Sequence, residues 1–570
     1  MPEQRNLILA IALSIGIILA FQYFYEMPRM QAQQEAARQQ ALIEQETTAE
    51  AVRPTARPDT SAGAAAGEAV AVDAPRLTID NGRLQGSMSL AGARLDELRL
   101  TDYRVALDPN SPLVQILAPV GSDRPEFAEF GWVAEDGVDV PDNQTLWTVV
   151  GNERLTAATP VTLRWDNGAG LIFDKQIAVD DNYMFTFTQK VTNNSGSPVT
   201  LLPYGLVSRW YTPETTGIWI LHEGPIGVLN DTLEEIDYSN LREDGEIAFD
   251  SNGGWLGITD KYWLTALVPD QAHQLRATFK YIDRGTSGRW QTDYLRAAVT
   301  VAPGGSTEVV DHLFAGAKEV RLLDQYRDAL GATLFDRAVD FGWFWFLTKP
   351  FFYTLHWLYV VTGNYGVAIL IVTLLVKLLF FPLANKSYKA MSQMKALQPE
   401  MLKIRERHEN DREKMNQEMM ALYKREKVNP AAGCLPILVQ IPVFFALYKV
   451  LFVSIEMRHA PFFGWIQDLS APDPTTLFNL FGLFPFVPPA WIPLIGVWPI
   501  LMGATMWLQT KLNPTPPDPI QARVMAFLPL IFVFLFATFP AGLVIYWTWN
   551  NVLSVGQQWL IMRRMNVSIT

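Results

Sequence analysis

Cysteine and charged residues are the two things of which this sequence has little. A single cysteine, Cys434, excludes any disulfide bond within the chain. Only 18% of the 570 residues are charged and 49% are hydrophobic, whereas soluble domains contain about 25% charged residues. This composition excludes a disordered chain and indicates membrane-spanning segments.

Positive charge is scarce in only one part of the chain. The overall net charge of -12 argues against a basic nucleic-acid binder, but it hides two opposite blocks. Residues 76–320 carry 19 basic and 34 acidic groups, whereas residues 343–570 carry 19 basic and 11 acidic groups. The two blocks are therefore expected to face different compartments or partners.

The chain begins with an apolar stretch that is followed by a polar one. Residues 1–25 are long and apolar enough for a transmembrane anchor. A cleaved signal peptide is the alternative, but no small-residue cleavage site follows Tyr25, which favours an uncleaved anchor. Residues 26–75 are rich in Ala, Gln, Glu, Pro and Thr and have almost no large apolar side chains, which predicts a flexible linker.

Short alternating runs, broken by turn signals, fill residues 76–320. Asp-Asn-Gly steps divide the runs "RLTIDNGRLQGSMSL" and "VTLRWDNGAGLIFDKQIAV", a pattern typical of a strand, a tight turn and a second strand. We predict a large β-sandwich. Its histidines, His222, His273 and His312, show no metal-ligand or nucleophile spacing, so we interpret them as ordinary surface groups.

The rest of the chain alternates between apolar runs and basic links. Aromatic side chains interleaved with polar ones in residues 321–363 favour amphipathic or interfacial helices. A membrane span in this segment is the alternative. Residues 384–430 carry 11 Lys or Arg residues and therefore form a cytoplasmic hairpin by the positive-inside rule. The remaining segments are the second span (364–383), the third span (431–455), an external loop (456–491), the fourth span (492–511), a cytoplasmic loop (512–523), a fifth and a sixth span forming a hairpin (524–560) and a cytoplasmic tail (561–570).

This layout predicts a polytopic α-helical membrane protein with six spans and a large external β-sandwich domain. Both chain termini are predicted in the cytoplasm. The sandwich is predicted outside, where its low positive charge is expected.

Lys377 is the most informative residue because it lies inside an apolar run. A lysine at the centre of a span costs about 2.5–3.5 kcal/mol, so it is expected to face protein or water unless its long side chain reaches the membrane surface. Other polar residues lie at the same cytoplasmic depth. On the last span, two alternative faces are possible, one with Asn550, Ser554 and Gln557 and one with Asn551, Ser554 and Gln558.

Together these residues predict a hydrophilic groove that is open to the cytoplasm and closed on the outside. The predicted lining is Lys377, Thr373, Gln440, Tyr546, Asn550, Asn551 and Ser554. The weaker candidates for apolar contact with a substrate are Phe444 and Met506.

The cytoplasmic hairpin is predicted as two helices separated near "HENDR". Methionines recur on both at helical spacing: Met391, Met394 and Met401 on the first, Met415 and Met419 on the second. We interpret them mainly as the apolar seam of the hairpin, and alternatively as a flexible contact surface. The basic residues around them would attract anionic membrane lipids or ribosomal RNA.

Several long motifs resemble the YidC/Oxa/Alb family of membrane insertases in its Gram-negative form. They are "QMKALQPEM", "EMMALYKREKVNPAAGCLPILVQIPVFFALYKVL", "HAPFFGWIQDLSAPDP" and "FPAGLVIYWTWNNVLSVGQQWLI", which occur in this order. The resemblance implies a five-helix insertase core and a periplasmic sandwich in a bacterial inner membrane. It implies insertion of nascent membrane proteins, alone or beside the Sec translocon, without nucleotide hydrolysis, cofactor, metal or catalytic residue.

The resemblance also implies one functional positive charge in the second span, at the position of Lys377, where bacterial relatives usually carry arginine. The ribosome and the signal recognition particle pathway are further expected partners. The short tail after Arg564 lacks the basic ribosome-binding extension of some relatives. The sandwich is similar to sugar-binding sandwiches of the mutarotase type, without a sign of catalysis.

Two other functions are weighed against an insertase. A small-solute transporter needs a polar path through both leaflets, whereas the polar residues here lie on one side. A membrane-anchored carbohydrate-binding or epimerase-like protein needs clustered His and Glu residues in 76–320.

Overall fold

The computed structural model describes most of the chain after the predicted linker. The described residues are 74–134, 137–216, 221–284, 288–408, 411–426, 428, 435–482, 484, 495–513 and 519–564. The predicted anchor, nearly all of the predicted linker, Cys434 and the last six residues lie outside them.

Two mostly antiparallel β-sheets form the first half of the described chain. One sheet has the order β14-β17-β18-β11-β5-β3-β2-β1-β7, with β4 on β3 and β19 on β11. Its strands are β1 (Arg76–Asp80), β2 (Leu84–Ser89), β3 (Arg94–Arg104), β4 (Leu113–Leu117), β5 (Glu126–Ala134), β7 (Arg154–Leu155), β11 (Val199–Arg209), β14 (Glu246–Asn252), β17 (Gln274–Ile282), β18 (Arg289–Arg296) and β19 (Val299–Val301).

The other sheet has the order β13-β12-β15-β16-β20-β10-β9-β8-β6. Its strands are β6 (Thr148–Val150), β8 (Val161–Asp166), β9 (Leu171–Val179), β10 (Met184–Asn193), β12 (Gly224–Leu229), β13 (Thr232–Glu235), β15 (Trp255–Thr259), β16 (Trp263–Val268) and β20 (Ser306–Ala317). The sheets face each other: the ring of Phe130 on β5 stacks on that of Phe187 on β10, 4.2 Å between centroids. The predicted β-sandwich is confirmed.

The Asp-Asn-Gly steps form the turns that the sequence predicts. Gly82, between β1 and β2, has a φ of 94°, which glycine adopts more readily than other residues. The side-chain oxygen of Asn81 accepts hydrogen bonds from the backbone N–H groups of Arg83 (3.1 Å) and Leu84 (2.7 Å). Gly168, between β8 and β9, also has a positive φ, 71°.

Helices make up most of the second half of the described chain. They are α1 (Tyr238–Asp244, within the sandwich), α2 (Val320–Leu330), a 3-10 turn (Phe335–Ala338), α3 (Trp345–Thr362), α4 (Tyr365–Leu379), α5 (Phe381–Ala396), α6 (Gln398–Arg407), α7 (Arg412–Arg425), α8 (Leu435–Val453), α9 (Val497–Leu512), α10 (Pro519–Phe536) and α11 (Ala541–Arg564). Helix α11 packs against α9, α4 and α5, and α3 packs against α4 and α8.

The structure breaks two helices that the sequence reading treats as continuous. The second span, predicted over 364–383, ends as a helix at Leu379, and α5 leaves at an angle of 70°. Pro382 in the first turn of α5 explains the break, because proline has no backbone N–H to bond to the carbonyl four residues earlier and its ring collides with that carbonyl. The prediction of one continuous first helix in the cytoplasmic hairpin is also wrong. Met391 and Met394 lie on α5, whereas Met401 lies on α6.

Within the described part of the chain, no single helix has both the length and the apolar composition needed to cross a membrane. Helices α4 and α5 satisfy those two requirements only as a bent pair.

Charged side chains at the C-terminal end of α8 connect it to the sandwich and to the segment that follows the sandwich. Lys449, in the last turns of α8, forms an ion pair with Asp340 (2.9 Å). Just beyond the helix, Oε1 of Glu456 accepts a hydrogen bond from the first N–H of α2, at Val320 (3.0 Å). Arg458 donates from Nη2 to the carbonyl oxygens of Arg104 (2.6 Å) and Val105 (3.0 Å).

Arg209 tests how much the sandwich depends on its buried ion pairs. Arg209 is 2% exposed and binds Glu126 (2.7 Å) and Asp260 (2.8 Å). Because Arg209→Ala leaves buried carboxylate uncompensated, we expect it to lower the free energy of unfolding by about 3–5 kcal/mol. Denaturant unfolding of the full chain, followed by tryptophan fluorescence, measures the change.

The matched control is Arg164→Ala. Arg164 also pairs with a carboxylate, Asp174 (2.6 Å), but its side chain is 50% exposed. We expect this exposed pair to contribute less than about 1 kcal/mol. Equal losses for the two variants would contradict the assigned role of the buried pair.

The buried carboxyl of Glu456 makes the contact between α2 and the end of α8 sensitive to pH. Burial raises the pKa of its carboxyl from 4.5 to about 7. A carboxyl whose pKa is raised by folding stabilises the fold below its unfolded pKa, and this contribution is lost as the pH rises through about 7. We therefore expect wild type to lose thermal stability relative to Glu456→Gln as the pH rises through this range. Glu308→Gln, at an exposed strand position, is the control, and its thermal stability is expected to change with pH as that of wild type does.

Candidate functional site

The buried face of α11 carries the polar residues of the site. Asn551, Ser554 and Gln558 are all buried on this helix, at the three- and four-residue steps that place side chains on one face. Of the two alternative faces that the sequence left open, the structure buries this one. Asn550 lies beside it and is half-buried.

Lys377 reaches this face from α4. It lies in the last turn of α4, and its Nζ donates a hydrogen bond to Oγ of Ser554 (2.7 Å). The Ser554 hydroxyl in turn donates to the backbone carbonyl of Asn550 (2.8 Å). No carboxylate of the described residues lies within the 4.0 Å limit of an ion pair with Lys377. Among the described residues, the side-chain partner of Lys377 is therefore a neutral hydroxyl.

The other polar residues join α11 to the neighbouring helices. Gln440 of α8 donates a hydrogen bond to the hydroxyl of Tyr546. Nδ2 of Asn551 donates to the Thr505 hydroxyl on α9 (3.3 Å). Thr505 is missing from the sequence prediction, although a hydroxyl in an otherwise apolar helix is a signal that could have found it.

Thr373 is the predicted residue that the structure separates from this network. It is buried, and its hydroxyl donates to the carbonyl of Ile369 on its own helix (2.7 Å). A threonine that bonds to the preceding turn satisfies itself within the helix. Whether it lines a groove stays a prediction.

Several polar atoms of α11 and of the adjacent helix α5 are buried and have no hydrogen-bond partner within the described residues. They are Oδ1 of Asn550, Nε2 of Gln557, Oε1 of Gln558, Nε1 of Trp549 and Oγ of Ser392. Buried polar atoms in folded proteins almost always bind a partner. The region around Ser554 therefore suits water or the polar groups of a ligand.

Aromatic side chains pack together around Trp547, one helical turn before Asn551 on α11. Phe444 of α8 contacts Trp547 (4.8 Å between ring centroids), which contacts Phe536 of α10 (5.1 Å). Phe444 is thus part of an internal aromatic cluster, while Met506 of α9 is half-buried. Their contact with a substrate stays a prediction.

The methionines of the cytoplasmic hairpin divide into two groups. Met401 and Met419 are buried together with Leu422, and Met415 packs against them. These three methionines form the seam that holds α6 against α7. Met391 and Met394, both half-buried on α5, lie outside this cluster.

A polar network within apolar helices, attached to a large β-sandwich, is the architecture of a membrane protein with an external domain. Two family models cover this chain: "YidC periplasmic domain" matches residues 76–354, and "60Kd inner membrane protein" matches residues 357–568. The chain belongs to the YidC family, as its motifs predict, and it is an inner-membrane protein with a periplasmic domain.

A curated relative of high identity agrees with this assignment, and two solved structures follow it only as likenesses. The "Membrane protein insertase YidC" of Nitrobacter hamburgensis is 52% identical over 588 residues, which cover 100% of this chain and 96% of the relative. A solved structure titled "Active YidC insertase crystal structure with the first transmembrane domain resolved" is 18% identical, covers 84% of this chain and 91% of its own, and has a TM-score of 0.37. A galactose mutarotase-like protein from Lactobacillus casei is 10% identical, covers 42% of this chain and 100% of its own, and has a TM-score of 0.29.

Membership in this family confirms that the chain is not an enzyme, and it favours neither the transporter nor the epimerase alternative. The described residues contain no group of His, Cys, Asp and Glu side chains able to hold a metal ion.

Ser554→Ala tests the hydrogen bond that holds Lys377. The change removes the acceptor of a buried ammonium group, so we expect a loss of about 1–2 kcal/mol in the free energy of unfolding in mixed micelles. Ser392→Ala is the matched control, because that hydroxyl is buried but has no partner within the described residues. If Ser392→Ala is as destabilising as Ser554→Ala, the bond to Lys377 contributes nothing of its own.

Proposed function

We propose that this protein inserts newly made membrane proteins into the inner membrane and assists their folding. The observation that carries the proposal is the ammonium of Lys377, which lies among apolar helices and binds only a hydroxyl within the described residues. A hydrophilic segment of a client enters from the cytoplasm, contacts this site and crosses only the remaining thickness of the membrane.

The charge of Lys377 is available to a client because its present partner is neutral. A serine hydroxyl satisfies one ammonium proton without cancelling the charge, and an ammonium has three protons to donate. A carboxylate on a client offers a charge-assisted hydrogen bond, which is about twice as strong as a neutral one. Acidic residues in a translocated segment are therefore attracted to the site.

Lysine also sets what kind of recognition is possible. Arginine binds a carboxylate through two parallel hydrogen bonds, whereas lysine is a compact point charge on a flexible stem. Clients of varied sequence offer carboxylates and carbonyls in varied orientations. A point charge suits such clients, and strict arginine geometry is not required in this chain.

Closure on the outside supports an inward-opening groove. The outer turns of α11 bury Leu543, Val544 and Ile545, and α8 adds the packed rings of Phe444 and Tyr448. Lipid and packed apolar side chains offer no hydrogen bonds to a polar chain, which makes this half a barrier. A hydrophilic segment thus enters partway while a hydrophobic segment leaves sideways along the apolar helix surfaces.

The proposed topology has six spans, with the first in residues 1–25 and both termini in the cytoplasm. Basic residues at one end of several helices support it: Lys511 at the end of α9, and Arg563 and Arg564 at the end of α11. Helix α4 spans about 22 Å at about 1.5 Å per residue, less than the roughly 30 Å of hydrocarbon. Because α4 ends close to Lys377, the apolar distance that a client segment crosses from the cytoplasmic side is shorter.

Partners beyond the client follow from charge and position. The hairpin of α6 and α7 carries exposed basic side chains such as Lys403 and Arg425, which suit anionic lipid or ribosomal RNA. We include the ribosome, the signal recognition particle pathway and the Sec translocon among the proposed partners. The proposal also includes the domain boundaries and the residues of the groove lining that we predict from the sequence.

Lys377 variants test the mechanism. We expect Lys377→Glu to abolish complementation of a depleted strain, Lys377→Ala to reduce it strongly and Lys377→Arg to retain it, because the positive charge attracts the client. A photocrosslinker in place of Leu378 or Val376, beside Lys377, is expected to capture a stalled nascent membrane protein.

Lys386→Glu is the control, since Lys386 is an exposed lysine on α5, nine residues further along the chain. Its charge reversal is expected to leave insertion near wild type. Full complementation by Lys377→Glu, together with no nascent-chain crosslink, would refute the groove mechanism.

A further inference from the structure

Two cations lie at the outer end of α8, where the sandwich meets the helices. Lys261 extends from the turn between β15 and β16, and its Nζ lies 3.7 Å from the ring centroid of Phe452, in the last turn of α8. Arg458 follows the helix by five residues, and its guanidinium lies 5.5 Å from the ring centroid of Trp263. Both cations also contact the ring of Tyr262, at 4.9 Å and 5.9 Å.

Neither cation forms an ion pair within the described residues. Arg458 donates to two backbone carbonyls, and neither side chain has a carboxylate within 4.0 Å. Two acids face the pair from neighbouring elements, beyond ion-pair distance: Glu223 and Asp468 attract Lys261, and Asp468 attracts Arg458. Glu223 accepts from the backbone of Lys261 (3.1 Å) and from Thr216 (2.6 Å), and Asp468 accepts from Ser470 (2.8 Å).

The surroundings disfavour these charges in the absence of an anion. The pKa of Lys261 is lowered to about 8, chiefly by burial and slightly by Arg458, although Glu223 and Asp468 act to raise it. Burial lowers the pKa of Arg458 as well. Two partly buried cations side by side are stabilised when an anion lies between them.

Position relative to the membrane identifies the anion. Phe452 belongs to the final turn of a helix proposed to span the membrane, so the two cations lie at the depth of the outer head groups. Rings of Tyr and Trp are typical of that depth. Nearby, the β3–β4 loop held by Arg458 exposes Val105 (59%) and Leu107 (51%), which suit contact with acyl chains.

We propose that Lys261 and Arg458 bind the phosphate of an anionic phospholipid in the outer leaflet, with Tyr262, Trp263 and Phe452 against its glycerol and upper acyl region. The lipid bridges the sandwich and α8. This inference uses the proposed topology but not the insertion mechanism, because the cations are remote in sequence and in fold from Lys377.

Native mass spectrometry of the full-length protein tests the proposal. Protein in detergent is mixed with equal amounts of dioleoyl phosphatidylglycerol and dioleoyl phosphatidylcholine, and the retained lipids are counted. We expect wild type to retain one more phosphatidylglycerol than the double variant Lys261→Gln, Arg458→Gln, with a preference over phosphatidylcholine reduced about tenfold or more in the variant.

Arg242→Gln is the matched control. Arg242 also lies over aromatic rings, at 5.5 Å from Tyr281, but on α1 within the sandwich. It is expected to retain lipid like wild type. The charge-conserving pair Lys261→Arg, Arg458→Lys is expected to retain the extra lipid too, and if the Gln double variant does not fold, the two single Gln variants decide.

Three results would overturn the proposal. The first is equal phosphatidylglycerol retention by wild type and the Gln variants, and the second is an equal loss of this lipid in Arg242→Gln. The third is displacement of the lipid by inorganic phosphate, which would make the site one for a soluble anion. Client insertion is measured on the same samples. Lost insertion with unchanged lipid retention in Lys377→Ala separates failure of the groove mechanism from failure of this site.

Discussion

A positive charge among apolar helices needs a polar partner, and this constraint organises the second half of the molecule. Lys377 meets it through Ser554, which fixes α4 against α11. The same face of α11 continues with Asn551, which bonds to Thr505 on α9, and with Gln558, which bonds to the carbonyl of Leu512 (3.1 Å). Hydrogen bonds are directional, whereas apolar contacts are not. These few bonds therefore fix how the helices are rotated and shifted against one another more closely than their apolar contacts do.

Several cations of the fold pair with carboxylates, whereas Lys377, like Lys318 with Thr259 (2.9 Å), has a hydroxyl as its partner. Arg209 in the sandwich binds two carboxylates, Lys449 binds Asp340, and Lys349 binds Asp324 and Asp336. Each of these charges is neutralised by the fold. In the proposed mechanism, an acidic or carbonyl group of a client completes the stabilisation of Lys377. An ammonium that lies among apolar helices without an opposite charge is a candidate binding site.

Sequence reasoning predicts those features that depend on local pattern. Charge per segment separates the sandwich from the helices, Asp-Asn-Gly steps give turns, and three- and four-residue spacing gives the polar face of α11. Tertiary contacts are less accessible. Neither Thr505 as the partner of Asn551 nor the choice between Asn550 and Asn551 follows from spacing, because both depend on how α9 is rotated against α11. The break at Phe380 was available in the sequence through Pro382, but the continuous apolar run masked it.

Helix α8 links the two halves through its opposite ends. Gln440 near its N-terminus bonds to Tyr546 on α11, and Lys449 near its C-terminus binds Asp340 in the segment that follows the sandwich. Tyr546 lies one turn before Asn550 on α11, and Asp340 lies between the 3-10 turn and α3. One helix therefore contacts both the polar face of α11 and the segment that follows the sandwich. Each of these contacts is polar, so each fixes the rotation of α8 against its neighbour more closely than apolar packing does.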